Sequence, residues 1–336
     1  MTYPSPVYYP PFNITRAGHM VLTSRDLARA KDFYTRVIGL VVSEETADTV
    51  WLRGLEEICH HSLVLQRTTT EPVCRWIGLR VHHEDELEKA HRLFGSIGLA
   101  PRWADVPFQG RTLQVCDPFG IPLELTARMD RVPRRIMAKD HHAAGYPLRF
   151  DHLQVHATDI AKVAQFYTAL GFRTSDYVVR GNTDELLGAF LHRKDIPWDI
   201  VFLRGSGPRM HHFAYVVPTA TDMFRACDAA GMYGYGRLVE HGPGRHGMGH
   251  VQFTYFRDPD GHRLELVLDA PHLMTDIENE PARWDDERRK TMCDWGNPAP
   301  RRWFEEASHF EGVAPQVLAP VPGRMDLEQY LGTFSR

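Results

Sequence analysis

Two kinds of hydrophobic patterning follow one another along this chain in a fixed order. Phe150-Asp151-His152-Leu153-Gln154-Val155 is a short strand-like run, and on a strand residues two apart share a face, so His152 and Gln154 look the same way. The next stretch buries Ile160, Val163, Phe166, Tyr167 and Leu170, whose three-and-four spacing makes one apolar stripe on a helix. Gly171 then ends it. The same order occurs earlier. Aligning His19 with His152 puts Asp26-Leu27-Ala28 over Asp159-Ile160-Ala161 and Phe33-Tyr34 over Phe166-Tyr167, with Gly39 and Gly171 one residue apart in register. A second pair of repeats lies downstream, where Asp117-Pro118-Phe119-Gly120 before Leu123-Glu124-Leu125 matches Asp258-Pro259-Asp260-Gly261 before Leu264-Glu265-Leu266. Asp-Pro followed by Gly is hairpin-turn chemistry, and each Leu-Glu-Leu reads as a strand whose Glu points away from its neighbours. The pattern predicts an α+β protein of four tandem βαβββ modules, near 17–70, 74–127, 149–204 and 209–268. Paired modules would make two domains, 10–135 and 148–270, each a curved sheet around a cavity, with a further segment at 271–310.

Composition narrows the class. A chain of 336 residues with 43% hydrophobic content can bury a large core. No apolar run approaches the roughly 20 residues that cross a bilayer, and the start, Met1-Thr2-Tyr3-Pro4, lacks the basic cluster and greasy core of a signal peptide. Cys59, Cys74, Cys116, Cys227 and Cys293 are odd in number and scattered, which suits free thiols in a cytoplasmic protein. A net charge of -4 gives no reason to expect nucleic-acid or acidic-membrane partners.

Candidate chemistry concentrates in the second half. His152, His212 and Glu265 are two imidazoles and a carboxylate, the set that holds a redox-active divalent metal on one face and leaves the other open. A lone histidine on a strand is more often a satisfied core residue than a ligand, and the chain has 19. The duplication raises these three above that background, because it places all of them at equivalent strand positions. Overlaying the halves puts His19 and Glu124 at the outer two positions, but Trp76 at the middle one, and an indole offers a metal no lone pair. The first half is therefore expected to be structural and without metal. His211, beside His212, faces the opposite side of its strand and is expected to pack or hydrogen-bond.

With Gly242-Pro243-Gly244-Arg245-His246-Gly247, Tyr255 and His262-Arg263-Leu264-Glu265, the triad resembles the type I extradiol ring-cleaving dioxygenases of the vicinal-oxygen-chelate, or glyoxalase-like, superfamily, most closely the homoprotocatechuate 2,3-dioxygenases. The resemblance runs from about Ala17 to about Trp303. It implies Fe(II), with Mn(II) as the alternative, a small aromatic diol and dioxygen as substrates, and a homo-oligomer. It implies that His246 and Tyr255 hydrogen-bond the substrate oxygens and developing negative charge, that Gln154, in place of the family's usual Asn, borders the substrate, and that the tail carrying Trp303 is a lid.

Departures from the family pattern bear on substrate. Trp198 stands where the family carries its acid–base histidine, and an indole cannot shuttle protons near neutral pH. His250 or His241 is the expected replacement proton carrier. His241 also stands where the homoprotocatechuate enzymes place an arginine for a substrate carboxylate, and the second such arginine matches only loosely, to Arg288 or Arg289. Extradiol cleavage of a substituted catechol is the expected function. Two other readings stay open: cleavage of a hydroquinone or trihydroxybenzene with the same triad, and non-catalytic binding of an aromatic.

Overall fold

The computed structural model describes residues 3–137, 144–268, 280–285, 293–319 and 326–333. Its first module runs β1 (Ile14–Ser24), α1 (Leu27–Asp32), β2 (Val41–Glu45), β3 (Thr49–Arg53) and β4 (Leu63–Arg67). The second is β5 (Cys74–Val81), α2 (Glu84–Ser96), β6 (Arg102–Ala104), β7 (Thr112–Cys116) and β8 (Pro122–Thr126). The third and fourth repeat the order as β9 (Arg149–Ala157), α3 (Ile160–Ala169), β10 (Arg173–Val179), β11 (Leu186–His192) and β12 (Ile200–Arg204), then β13 (Arg209–Val217), α4 (Ala220–Met232), β14 (Val239–His246), β15 (Gln252–Arg257) and β16 (Arg263–Leu268). One sheet has the order β2-β3-β4-β1-β5-β8-β7-β6, and the other repeats it as β10-β11-β12-β9-β13-β16-β15-β14. Three short tail strands, β17 (Ala282–Trp284), β18 (Cys293–Trp295) and β19 (Ser308–His309), add to the second sheet.

The repeated residues have repeated jobs. Asp26 and Asp159 cap α1 and α3, their carboxylates accepting from the backbone N–H of Arg29 at 3.0 Å and of Lys162 at 3.1 Å. Gly39 and Gly171 end the two helical segments with the same left-handed φ of 93°, which costs a residue with a Cβ. The first copy holds one residue more before its glycine. It absorbs that residue as a wider π turn over Phe33–Ile38, in which Gly39 N–H reaches back to the Tyr34 carbonyl at 3.0 Å. The turns repeat as well: Asp117 accepts from the N–H groups of Phe119 and Ile121, and Asp258 from those of Asp260 and His262.

The helices pack the halves against each other as well as onto their own sheets. Phe33 meets Tyr235 and Phe256 of the second half, and Phe119 of the first half meets Phe166, so one continuous core joins both sheets. Each such aliphatic or aromatic side chain, fully buried, contributes about 1.5–3 kcal/mol. The exchange is reciprocal. Tyr34 donates its hydroxyl to Asp258 at 2.9 Å, and Tyr167 donates to Asp117 at 2.9 Å. Among the described residues no helix is long and apolar enough to cross a membrane.

Candidate metal centre

Strand register brings the three expected ligands together. β9 and β13 form the central antiparallel pair of the second sheet, β16 runs parallel to β13, and β15 is antiparallel to β16. His212 lies opposite Gln154, Ala214 opposite Glu265, and Glu265 opposite Tyr255. The concave face then collects His152, His212 and Glu265, all buried. His152 Nε2 is 3.1 Å and His212 Nε2 3.3 Å from Glu265 Oε2, and the two imidazole nitrogens are 3.3 Å apart. Donors sharing one face of an octahedral ion, with bonds of roughly 2.1 Å at right angles, would be roughly 3 Å apart. Both Glu265 oxygens are buried, yet no hydrogen bond of good geometry satisfies either. A buried carboxylate without donors is costly, and a divalent cation is the partner that this spacing fits.

Neighbours fix which nitrogen of each imidazole is available. Asp151 Oδ2 lies 2.7 Å from His152 Nδ1 and accepts its N–H, leaving Nε2 to the cluster. For His212 the chain is longer. The Trp303 carbonyl can only accept, so His211 Nε2, 2.7 Å away, carries the hydrogen. Burial holds the His211 pKa well below its ordinary value, so the ring is neutral and its Nδ1 accepts from His212 Nδ1 at 2.8 Å. His212 Nε2 is thereby left as a lone pair. His211 hydrogen-bonds, as its place on the opposite side of the strand led one to expect, while Asp151 was not singled out from the sequence, where its one signal is that it directly precedes a ligand.

The charge state follows from the same contacts. Burial disfavours a charged His152, but Asp151 and Glu265 outweigh it and hold the ring at about 9. Burial drags His212 down to about 4. Burial alone would raise Glu265, but the imidazoles of His152, His212 and His246 keep it well below the carboxylate range. A cation entering here displaces the proton that His152 holds.

Around the triad, His246 Nε2 lies 3.1 Å from the Tyr255 hydroxyl and 3.4 Å from Glu265 Oε1. The Gly242-Pro243-Gly244 stretch is part of strand β14, with a register break between His241 and Gly244 where Gly242 takes a φ of 96°. The bulge keeps the strand paired with β15 and delivers His246 beside Tyr255. His241 is buried in an aromatic box of Phe253, Tyr255 and Trp303. Burial and the neighbouring His246 push its pKa down to about 3, so it is neutral near pH 7 and is a poor choice of acid. His250 is exposed, in the turn after β14. Gln154 is buried with its amide nitrogen unpartnered. Trp198, 5% exposed, sets its ring 5.4 Å from that of His152, and its N–H is likewise unpartnered. It belongs to an apolar wall with Phe190, Val201, Met248 and Val251.

Trp303, on the short helix Arg301–Glu305, closes over His211, His241 and Tyr255. A buried ion-pair network anchors that helix. Arg263 bonds Glu240 at 2.6 Å and donates to the carbonyls of His211, Arg302 and Glu306. Arg288 and Arg289, and much of the segment expected as a lid, lie outside the described residues.

Comparison with known proteins agrees with this geometry. The family model for the Glyoxalase/Bleomycin resistance protein/Dioxygenase superfamily matches residues 16–125 and 149–266, and the chain belongs to that superfamily. Within it the chain stands with the extradiol ring-cleaving dioxygenases. It is 27% identical over 310 residues to a manganese-dependent 2,3-dihydroxybiphenyl 1,2-dioxygenase of Geobacillus genomosp. 3, covering 85% of this chain and 94% of that one. Homoprotocatechuate 2,3-dioxygenase from Arthrobacter globiformis superposes with a TM-score of 0.86 at 31% identity, covering 94% of this chain and 98% of that one. The Brevibacterium fuscum enzyme, in complex with 3,4-dihydroxyphenylacetate, gives 0.86 at 30% identity, with 95% and 100% coverage.

Proposed function

We propose that this chain performs extradiol cleavage of a catechol bearing an uncharged substituent, with Fe(II) or Mn(II) held by His152, His212 and Glu265. The observation that carries the reading is the buried, unsatisfied Glu265 carboxylate within 3.1–3.3 Å of two imidazole nitrogens, beside an apolar wall. The ion would supply Lewis acidity that lowers the pKa of the diol and a redox couple linking ring and dioxygen. The protein does the rest. Tyr255 O–H and His246 Nε2 form a polar pair at one edge of the triad and stabilise negative charge on substrate oxygens. His246 Nε2 is the atom at which a proton is held or passed, with exposed His250 exchanging protons with solvent. Gln154 and Trp198 present unpartnered N–H groups to the substrate side, and Trp198 donates without transferring. Trp303 and its anchored helix keep water from the reacting ring.

An uncharged substituent is favoured by neutral His241 and by Arg257, on the strand beside Glu265, and Arg263, on its own strand, both being committed to Glu240. A homo-oligomer is part of the same reading, and so is the cytoplasm, whose reducing conditions suit the free thiols of Cys59, Cys74, Cys116 and Cys227. The test is oxygen uptake by Fe(II)- and Mn(II)-reconstituted enzyme on 3-phenylcatechol, 3-methylcatechol, 3,4-dihydroxyphenylacetate and hydroquinone. One dioxygen per ring and a product absorbing in the near-visible are expected with the first two, with kcat/KM at least about tenfold above the acid, the scale set by leaving a carboxylate without a partner. Preference for the acid would remove the uncharged-substituent reading, and turnover of hydroquinone alone would favour the non-catechol alternative that Trp198 suggests.

A further inference from the structure

A cavity of about 400 Å³ lies between the halves, lined by no residue of the triad. Five cationic side chains reach it: Arg16 and Arg80 from β1 and β5, Arg134 from the connection, and Arg149 and Lys194 from the second half. Two carboxylates, Glu56 and Glu57, line it too, but both are engaged. Glu57 accepts from Gly54 N–H at 2.6 Å, Ser62 hydroxyl at 2.5 Å and Phe150 N–H at 3.2 Å, and Glu56 pairs with Arg149 at 2.9 Å. Lys194 is matched by Asp199 at 2.9 Å. Arg16, Arg80 and Arg134 are left over. Each donates to a backbone carbonyl, of Ala17, Ala127 and Glu56 respectively, and among the described residues none has a carboxylate partner. Arg80 Nη1 is buried with no hydrogen bond.

Glu57, whose hydrogen-bond donors are neutral, offsets part of the positive charge at Arg80, but the cationic side chains outnumber the carboxylates, and Arg80 bears the desolvation cost without an ion pair, while Arg16 is half-buried and Arg134 exposed. Burial and neighbouring Arg16 both hold Arg80 below its ordinary pKa. The planar N–H fork matches carboxylate and phosphate oxygens, and charge-assisted bonds of that kind are about twice as strong as neutral ones. The cavity volume suits a small metabolite, and Ile58, Phe150 and Ala127 add apolar surface for a short carbon body.

We propose that this cavity between the halves binds a small polyvalent oxyanion, a phosphate or a dicarboxylate, at a site separate from the metal centre. Bound there, the anion bridges guanidinium groups of the first half and side chains of the second, so it stabilises their docking. The metal-loaded enzyme is titrated calorimetrically with inorganic phosphate and, separately, with malonate, at ionic strength fixed with sodium chloride. One saturable site per chain is expected for at least one probe, with a rise in thermal midpoint, and the two arms separate phosphate from carboxylate selectivity. Arg80→Gln should weaken binding at least tenfold and leave turnover unchanged. Ile58→Glu, at the rim where Ile58 is 36% exposed, should do the same by offering the guanidiniums an internal carboxylate, and it decides the matter if Arg80→Gln does not fold. Glu265→Ala should retain the site. Failure of both probes to saturate, binding that survives both rim and arginine substitutions, or binding lost with Glu265→Ala would overturn the proposal, the last by placing the anion at the metal.

Discussion

The two sheets share strand order, register and an inward-facing histidine and glutamate, yet they treat that glutamate in opposite ways. In the first half Glu124 is saturated: Oε1 lies 2.9 Å from His19 Nε2 and accepts from Gln109 at 2.8 Å, and Oε2 accepts from Gln114 at 2.6 Å. In the second half Glu265 has imidazoles at 3.1–3.4 Å but, among the described residues, no amide donor and no hydrogen bond of good geometry. Gln114 faces Glu124 as Tyr255 faces Glu265, and Trp76, opposite Val21, takes the place of His212, opposite Gln154. The His19 ring lies so close over Gly78 that a Cβ there would come within 2.0 Å of it. A metal centre, on this comparison, is defined as much by the amide donors withheld from its carboxylate as by the ligands supplied.

Interconverting the halves is the strongest way to break the comparison. His212→Trp should remove the metal and reduce oxygen uptake to background while circular dichroism stays native. Trp76→His alone should add no metal, since Glu124 remains saturated, whereas adding Gln109→Ala and Gln114→Tyr should bring elemental analysis toward two ions per chain. A second ion with Trp76→His alone would refute the withheld-donor argument. The next largest effect concerns the polar pair that the first half lacks. His246→Phe should lower kcat by about 100-fold with a smaller change in KM, the usual scale for a positioned acid–base or charge-stabilising group; an equal loss in binding would mean that it only holds substrate.

Below that come the residues that set the tautomers. His211→Phe should weaken metal affinity by about 10–100-fold in competition with a chelator, while enzyme saturated with metal keeps most of its turnover. Unchanged affinity would show that packing alone orients His212. The smallest effect separates the two interlocking turns. Burial raises Asp117 to about 6, against the pull of the Ile121 and Phe119 N–H groups. Its folded form therefore binds more protons than the unfolded chain between about pH 4 and 6, and its contribution to stability falls as pH rises through that window. Asp117→Asn, which keeps an acceptor for the turn and a partner for Tyr167, should stabilise the protein by about 1 kcal/mol at pH 7 and flatten the pH dependence of the melting midpoint between 4 and 6. A loss of stability at pH 7 would show that the ionised oxygen matters more than its desolvation.

The fold was legible because its local signals occur twice. Asp26 and Asp159 as caps, Gly39 and Gly171 as helix ends, and the two Asp-Pro-x-Gly turns are short-range chemistry that repetition makes readable. His152, His212 and Glu265 could be picked out for the same reason, as strand positions that the duplication aligns. The bulged course of Gly242-Pro243-Gly244 was not legible, because its pairing is decided by β15 and not by its own residues. The low basicity of His241 was not legible either, since it is set by burial in an aromatic box whose Phe253 and Tyr255 come from β15 and whose Trp303 comes from far along the chain. The cationic cavity is assembled from positions 16, 80, 134, 149 and 194, which no sequence window brings together.

The contact between the Trp303 carbonyl and His211 also has a meaning in time. Residue 303 follows β9, β13 and β16 in chain order, so it is synthesised after all three. Until it docks, nothing compels the hydrogen of His211 to sit on Nε2, and His212 is free to offer the wrong nitrogen. The order of synthesis thus ties the tautomer of a ligand to the docking of a later segment: without that contact, His212 Nε2 is not held as the lone pair facing the cluster.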